Sequence, residues 1–416
     1  MTATLPTVLW ALAVACAGCL TPAALQAQAP GETPAEAAEA IAGAPRFDAA
    51  GTEYLPLAEA AAPAEAIREV YFATNRDPIP QANPTGFGRQ VRAETRFGKA
   101  RLVTRNGVWQ LLDFELERPP LPEMLALPAA LAAVAVSPDA AGFARAGLSA
   151  DQPLAEFAAA AARPNTDVFV YVHGAGHDFE SALSTTARLA ELYARPGQSL
   201  VATVFTYPTN GVGMPLNYFA DRRDAGMSGF AMAAGFQKLT EFLGELRLRQ
   251  PSGQVWLIAH SLGAYASRVA VQSIFEQDPL LRRVFDLVLL MGGDEDHDSL
   301  SVDAKMGPLL DLTDTVVVYF ARNDALLQLS SLVNRRMPIG LSGPHNVDRA
   351  DYGGTTVLAV DARAFSAVND RWKGHGYYTR SPRVISDVAS VLEGAPPDQI
   401  PGRRQIGPRT FRLVGD

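Results

Sequence analysis

Cysteine is almost absent. The two present, Cys16 and Cys19, sit near the start, so no disulfide, thiol nucleophile or thiolate metal site can form in the rest of the chain. Basic clusters are missing too: 36 Lys and Arg stand against 44 Asp and Glu, a formal net charge of -8. Nucleic-acid binding depends on clustered cations that neutralise phosphates, and that class of partner is excluded. Past the first 27 residues the hydrophobic segments are short and punctuated, which argues against a membrane-spanning helix. Internal repeats are lacking. What remains is 416 residues of which 48% are hydrophobic, enough to bury one large core with an appendage.

The one long apolar run is LPTVLWALAVACAGCL, within residues 1–27, followed by small residues and Gln. This is the shape of a secretory signal peptide, with Leu25-Gln26-Ala27 ahead of a cleavage point, although no Lys or Arg precedes the run. Cys16-Ala17-Gly18-Cys19 also resembles a bacterial lipobox that lacks the usual Leu three places before either cysteine. Two expectations follow: an exported, periplasmic protein, or one attached to a membrane through a lipidated N-terminal cysteine.

Residues 28–66 are rich in Ala, Pro, Glu and Gly and read as a disordered tether, because they bury too little apolar surface to offset ordering. A folded domain is expected over 67–396, with a poorly placed insertion at 118–164 and a C-terminal tail at 397–416. Glu69 to Thr74 reads as a first strand, Asp77 to Gly88 as a loop, and Ala100 to Phe114 as a hairpin turning at Asn106-Gly107. Strands at Asp167–Val172, Leu200–Tyr207, Val255–Ala259, Val284–Met291, Thr315–Phe320 and Thr355–Val360 then alternate with helices at Glu180–Tyr193, Ala231–Leu248 and Gly263–Phe275, and Pro382–Leu392 closes the pattern. Such alternation predicts an α/β class: a mostly parallel sheet with helices on both faces and an N-terminal antiparallel edge.

The segment Val255 to Tyr265 puts Ser261 at an abrupt strand-to-helix junction between Ala259 and Gly263. So tight a turn needs small residues on both sides of an exposed, strained serine, the pattern of a nucleophile elbow. At the start of the helix the N–H of Leu262 can stabilise an oxyanion. His173-Gly174-Ala175-Gly176 follows an earlier buried-type strand, as an oxyanion loop does, and aims the N–H of Ala175 at a reacting carbonyl oxygen. A serine hydroxyl needs a base, and the base an orienting acid. Of the histidines after the serine, His375 lies between the last strand and the closing helix, where the base belongs; His345 and His297 fit less well. Asp324, just past the strand Thr315–Phe320, is the best acid; Asp294 and Asp296 after the preceding strand are the alternatives. That acidic cluster, or His173 with His177 and Asp178, also has the ligand types of a metal site, but the spacing carries little and no metal or cofactor is expected.

Taken together, Tyr71 to Arg76, Val172-His173-Gly174, Phe205 to Pro208, Tyr218 to Arg222, Ile258 to Gly263, Ala321 to Asp324 and His375-Gly376-Tyr377 resemble a little-characterised bacterial branch of the α/β-hydrolase superfamily. The likeness runs from about Glu69 to about Leu392. It implies the α/β-hydrolase fold and serine hydrolysis of an ester or related acyl bond in a small-molecule or lipid-like substrate. An acyltransferase with the same triad, or a catalytically silent binding protein on the same fold, are the alternatives. The family carries His-Gly-Tyr-Asn where this chain has His173-Gly174-Ala175-Gly176. Tyr218, Asp221 and Arg222 match a family motif and are expected to form a helix-positioning ion pair, with substrate contact as the sharper alternative. Met214, Leu216, Tyr218 and Phe219 are expected to wall an acyl pocket or to lie in the core.

Overall fold

A computed structural model describes residues 46–47, 53–54, 66–81, 83–118, 152–210, 217–249, 253–277, 283–303, 305–366 and 374–415. The expected signal segment with Cys16 and Cys19, most of the expected tether, residues 119–151 of the expected insertion, and Met214 and Leu216 lie outside these residues. Within the stretch expected as a tether, β1 (Arg46–Phe47) and β2 (Glu53–Tyr54) pair antiparallel. Strands of two residues are too short to show the two-residue alternation by which a strand is read, which is why the sequence does not reveal them.

The antiparallel edge is built from β3 (Ile67–Ile79), β4 (Gly86–Arg105) and β5 (Val108–Leu116). Asn106 and Gly107 have φ of 52° and 74°, the left-handed pair that a two-residue hairpin turn requires, and they set the register Arg105 opposite Val108. The expected loop from Asp77 to Gly88 is shorter than predicted. Strand β3 continues through Pro78, and register shifts between Thr74 and Arg76 and between Arg76 and Pro78 accommodate the proline that reads as a breaker.

The regular part comprises α1 (Pro153–Ala161), β6 (Thr166–Val172), α2 (Phe179–Tyr193), β7 (Ser199–Thr206), α3 (Tyr218–Arg249), β8 (Val255–His260), α4 (Leu262–Gln277), β9 (Phe285–Met291) and β10 (Thr313–Phe320). It continues with α5 (Ala325–Asn334), α6 (Ile339–Ser342), β11 (Thr356–Asp361), α7 (Tyr377–Arg380), α8 (Pro382–Leu392), β12 (Arg403–Gln405) and β13 (Thr410–Leu413). Eleven strands form one sheet in the order β12-β13-β11-β10-β9-β8-β6-β7-β3-β4-β5. Pairing is parallel from β3 to β13 and antiparallel at both ends.

Strands buried on both faces explain the continuous apolar runs. Val168, Val170 and Val172 of β6 join one core with Phe157, Phe236 and Ile274, while Phe169 and Tyr171 face the other with Leu183, Ala187, Val384 and Val388. Each Val, Leu, Ile or Phe among them contributes on the order of 1.5–3 kcal/mol by leaving water. Helix α2 starts where Asp178 accepts the N–H of Ser181 (2.8 Å), and α8 starts at Ser381 followed by Pro382, a residue preorganised for a first helical turn.

Two expectations need correction. Helix α3 begins at Tyr218, well before the predicted Ala231, because Gly226 and Gly229, which interrupt the apolar pattern, serve close packing against α4. The presumed tail carries β12 and β13, which complete the sheet. Phe411 and Leu413 are buried, and Arg403 is held by Asp387 in a pair with both side chains fully buried (2.7 Å).

The chain leaves β6, forms β7 on one side of it, then returns to place β8 on the other. In open parallel sheets, ligands bind beyond the strand C-termini at such a reversal. The loop after β6 and the turn after β8 meet there, with Val172 opposite Ala259.

Candidate active site

Ser261 has φ of 53°, a left-handed conformation that costs a non-glycine residue energy and turns its side chain out of the strand line. Three backbone bonds hold the strain: its N–H donates to Met291 (3.1 Å), and its carbonyl accepts from Ala264 (3.1 Å) and Asp294 (2.9 Å). A Cβ at Gly263 would strike the carbonyl oxygens of Val172 and His173, so the small residue two places on is a steric requirement. Leu262 opens α4, and its N–H has no acceptor within the helix.

Asp324 follows β10 and His375 follows β11, and the fold brings them together: His375 Nδ1 lies 2.6 Å from Asp324 Oδ2, with both side chains buried. Asp324 also caps α5, its Oδ1 accepting the N–H of Leu327 (3.1 Å). The His375 ring stands 4.7 Å from the ring of His260, the residue before the serine. A Cβ on Gly292, next to the Met291 that accepts the Ser261 N–H, would lie 3.6 Å from His375 Nδ1. The histidine is therefore beside the elbow. With Nδ1 protonated and donating to Asp324, the lone pair of a neutral His375 ring lies on Nε2, the nitrogen that acts as the base in such a tautomer.

Residues outside the expected set fix this loop. Tyr377 donates to the carbonyl of Tyr319 (3.0 Å), Tyr378 bonds Tyr171 through their hydroxyls (2.9 Å), and Tyr193 donates to the Tyr378 carbonyl (2.5 Å). Ser366 donates to Asn323 (2.9 Å), and Gly374, at φ of 98°, passes close enough that a Cβ there would be 3.3 Å from Ser366 Oγ. The aromatic pair directly after His375-Gly376 was the available signal.

The loop His173 to Gly176 lies on the serine: a Cβ at Gly174 would be 2.8 Å from Ser261 Cβ. His173 Nε2 accepts the Tyr207 N–H (3.2 Å), which leaves Nδ1 to donate to the Gly174 carbonyl (2.7 Å). In a planar trans peptide the C=O and N–H point opposite ways, so holding Gly174 O also sets the direction of the Ala175 N–H. Burial, then the charges of His177 and Arg76, press the His173 pKa well below its ordinary value and keep the ring neutral. Gly176 has φ of 79°, a conformation open to Gly and tolerated by Asn, so this chain's glycine and the family's asparagine suit the same backbone.

The alternative acids are committed elsewhere. Asp294 is buried against Arg336 (2.6 Å), Tyr218 (2.7 Å) and Ser330 (2.6 Å), and the half-buried Asp296 pairs with Lys305 (2.9 Å) and Arg336 (3.3 Å). His297 and His345 pair with each other, ring centroids 4.9 Å apart. Asp178 is the α2 cap. Among the described residues no group of three or more His, Cys, Asp or Glu is placed to hold a metal ion.

Several motif residues turn out to tie loops together. Arg76, buried at the end of the Tyr71-to-Arg76 run, donates to Thr206 (2.9 Å) and to the His177 carbonyl (2.8 Å), and desolvation lowers its pKa to about 10. The expected ion pair between Asp221 and Arg222 is not made: Arg222 lies over the Tyr265 ring (4.0 Å), and Asp221 accepts N–H groups from Asn210 and Gly176. The charge of Asp221 meets backbone dipoles, a pattern that residue types alone do not signal. Tyr218 is buried in the Asp294 cluster, in keeping with the core alternative, while Phe219 is exposed.

Residues 150–394 match the family described as alpha/beta hydrolase of unknown function (DUF900). No curated protein matches the chain.

Proposed function

The chain belongs to this α/β-hydrolase family, and from that premise we propose that it is an exported serine hydrolase cleaving an ester or related acyl bond through Ser261, His375 and Asp324. The observation that carries the reading is the 2.6 Å contact between His375 Nδ1 and Asp324 Oδ2 beside a serine at φ of 53°. Ser261 Oγ attacks the acyl carbonyl while His375 Nε2 takes its proton. The N–H groups of Ala175 and Leu262 receive the negative charge that develops on the carbonyl oxygen. The tetrahedral species collapses, His375 protonates the leaving alcohol, and water repeats the sequence to release the acid. The substrate is a small-molecule or lipid-like acyl compound. Export through residues 1–27, with or without lipid attachment at Cys16 or Cys19, belongs to the same proposal.

The test is labelling of the folded protein with a fluorophosphonate probe, alongside hydrolysis of p-nitrophenyl butyrate. Wild type should be labelled, and Ser261→Ala should lose both label and turnover by several orders of magnitude. A folded wild type that resists the probe, or a Ser261→Ala protein that keeps its activity, would overturn the reading.

A further inference from the structure

We infer that Asp221 is a positioning residue for oxyanion stabilisation, its carboxylate clasping the loop that carries the Ala175 N–H to the helix that follows β7. The inference rests on the serine-hydrolase reading and adds to it a residue from outside the Ser, His and Asp set.

Asp221 sits in the first turn of α3, fully buried. Its Oδ2 accepts the Gly176 N–H (3.2 Å), and its Oδ1 accepts both the backbone N–H and the side-chain Nδ2 of Asn210 (2.7 Å each). One carboxylate thus joins three pieces of chain: the loop after β6, the loop after β7 and the start of α3. Burial pushes its pKa up, partly offset by those same N–H donors. A buried carboxylate has several kcal/mol of hydration to replace, so a site answered by N–H donors has a strong preference for one geometry.

That geometry matters at Ala175. Gly174 and Gly176 flank it, and glycine on both sides leaves the two intervening peptide planes free to rotate. His173 fixes the first plane through the Gly174 carbonyl (2.7 Å). The second plane, between Ala175 and Gly176, is held by Asp221 at its N–H, with His177 Nδ1 3.3 Å from its carbonyl. Beyond it the His177 carbonyl is gripped by Arg76 (2.8 Å) and Thr209. Without Asp221 the plane next to that of the Ala175 N–H keeps only the His177 contact and the loop is no longer tied to α3, so the approach of the Ala175 N–H to the carbonyl oxygen over Ser261 is less closely held.

The expected signature is kinetic. Asp221→Asn keeps volume but replaces one acceptor oxygen with a donor amide, which opposes either Gly176 N–H or the Asn210 donors. With active sites counted by fluorophosphonate titration, kcat per site on p-nitrophenyl butyrate should fall about 10- to 100-fold at unchanged KM, short of the ~10²–10³ for losing a whole oxyanion donor. Phenylboronic acid, whose Ser261 adduct carries a negative oxygen in the same hole, should bind more weakly by the same factor. A purely structural role would lower the number of competent sites and leave both per-site quantities alone.

Should Asp221→Asn fail to fold, Asp221→Glu keeps the charge but displaces it, and the same paired loss is expected. Wild-type kcat and boronate affinity in whichever variant folds, or a change in KM alone, would overturn the inference. Ser261→Ala, run in parallel, reports on the underlying reading: if it retains turnover that reading fails, whereas a dead Ser261→Ala beside a normal Asp221 variant removes only the role of Asp221.

Discussion

Asp324 answers two donors with its two oxygens, the Leu327 N–H at Oδ1 and His375 Nδ1 at Oδ2. Those duties separate under substitution. In Asp324→Asn the amide oxygen still caps α5, since Asn is as good an N-cap as Asp. The amide nitrogen then faces His375 and forces the proton onto Nε2, the tautomer that cannot accept from serine. Stability should stay near wild type while kcat drops by about four orders of magnitude, whereas Asp324→Ala should also lose about 1 kcal/mol in urea unfolding. A near-wild-type kcat for Asp324→Asn would remove the acid from the mechanism. Ser261 is legible in the sequence because Ala259 and Gly263 are local steric requirements of its turn. Asp221 and Arg76 are visible as motif residues without a role, because each is held in part by a backbone group, 45 and 101 positions away, that carries no side-chain signature.

Helix α3 shows what an element can conceal. Its apolar periodicity is legible only from Ala231, yet helix starts at Tyr218, and the intervening turn presents Gly226 and Gly229 to α4. A Cβ at Gly229 would lie 2.5 Å from Val269 Cβ and 3.1 Å from the Ala266 carbonyl, groups close to a rigid backbone. At Gly226 it would meet the Tyr265 hydroxyl at 3.0 Å, the far end of a side chain that can move. Removing a helix glycine gains about 1 kcal/mol, and overpacking costs roughly 1–3. Gly229→Ala should therefore be destabilised, by up to about 2 kcal/mol in urea unfolding, with Gly226→Ala neutral or more stable. Equal effects would show that the helices do not approach through Gly229. Strands are more legible than helices because burial on both faces marks them. Strands β12 and β13 are not legible, since both are short and their partners, Asp387 for Arg403 and β11 for Thr410 to Arg412, come from earlier in the chain.

Across the whole molecule, the alternation of strand and helix foretold a parallel sheet covered on both faces, but the reversal that places β8 beside β6 follows from pairing and is not written in any one segment. That reversal sinks two imidazoles into the seam between the cores. His173 and His260 are both buried, and both have pKa values held well below the ordinary histidine range, chiefly by loss of water. The sign of the resulting linkage is definite. Below about pH 6.5 the unfolded chain binds a proton on each ring that the folded chain refuses, so stability present above that pH is lost as pH falls. Two rings contribute a slope of at most roughly 2.7 kcal/mol per pH unit. Glu295 and Asp221 act the other way, because burial raises both carboxyls and the folded chain takes up their protons first. The clean observable is therefore a difference of slopes. Urea unfolding of wild type between pH 7.5 and 5.5 should fall more steeply than that of His260→Gln, by roughly 1.4 kcal/mol per unit once both are below pH 6.5. Identical slopes would mean that the folded protein admits a proton at His260, and with it a positive charge directly beside Ser261 and His375.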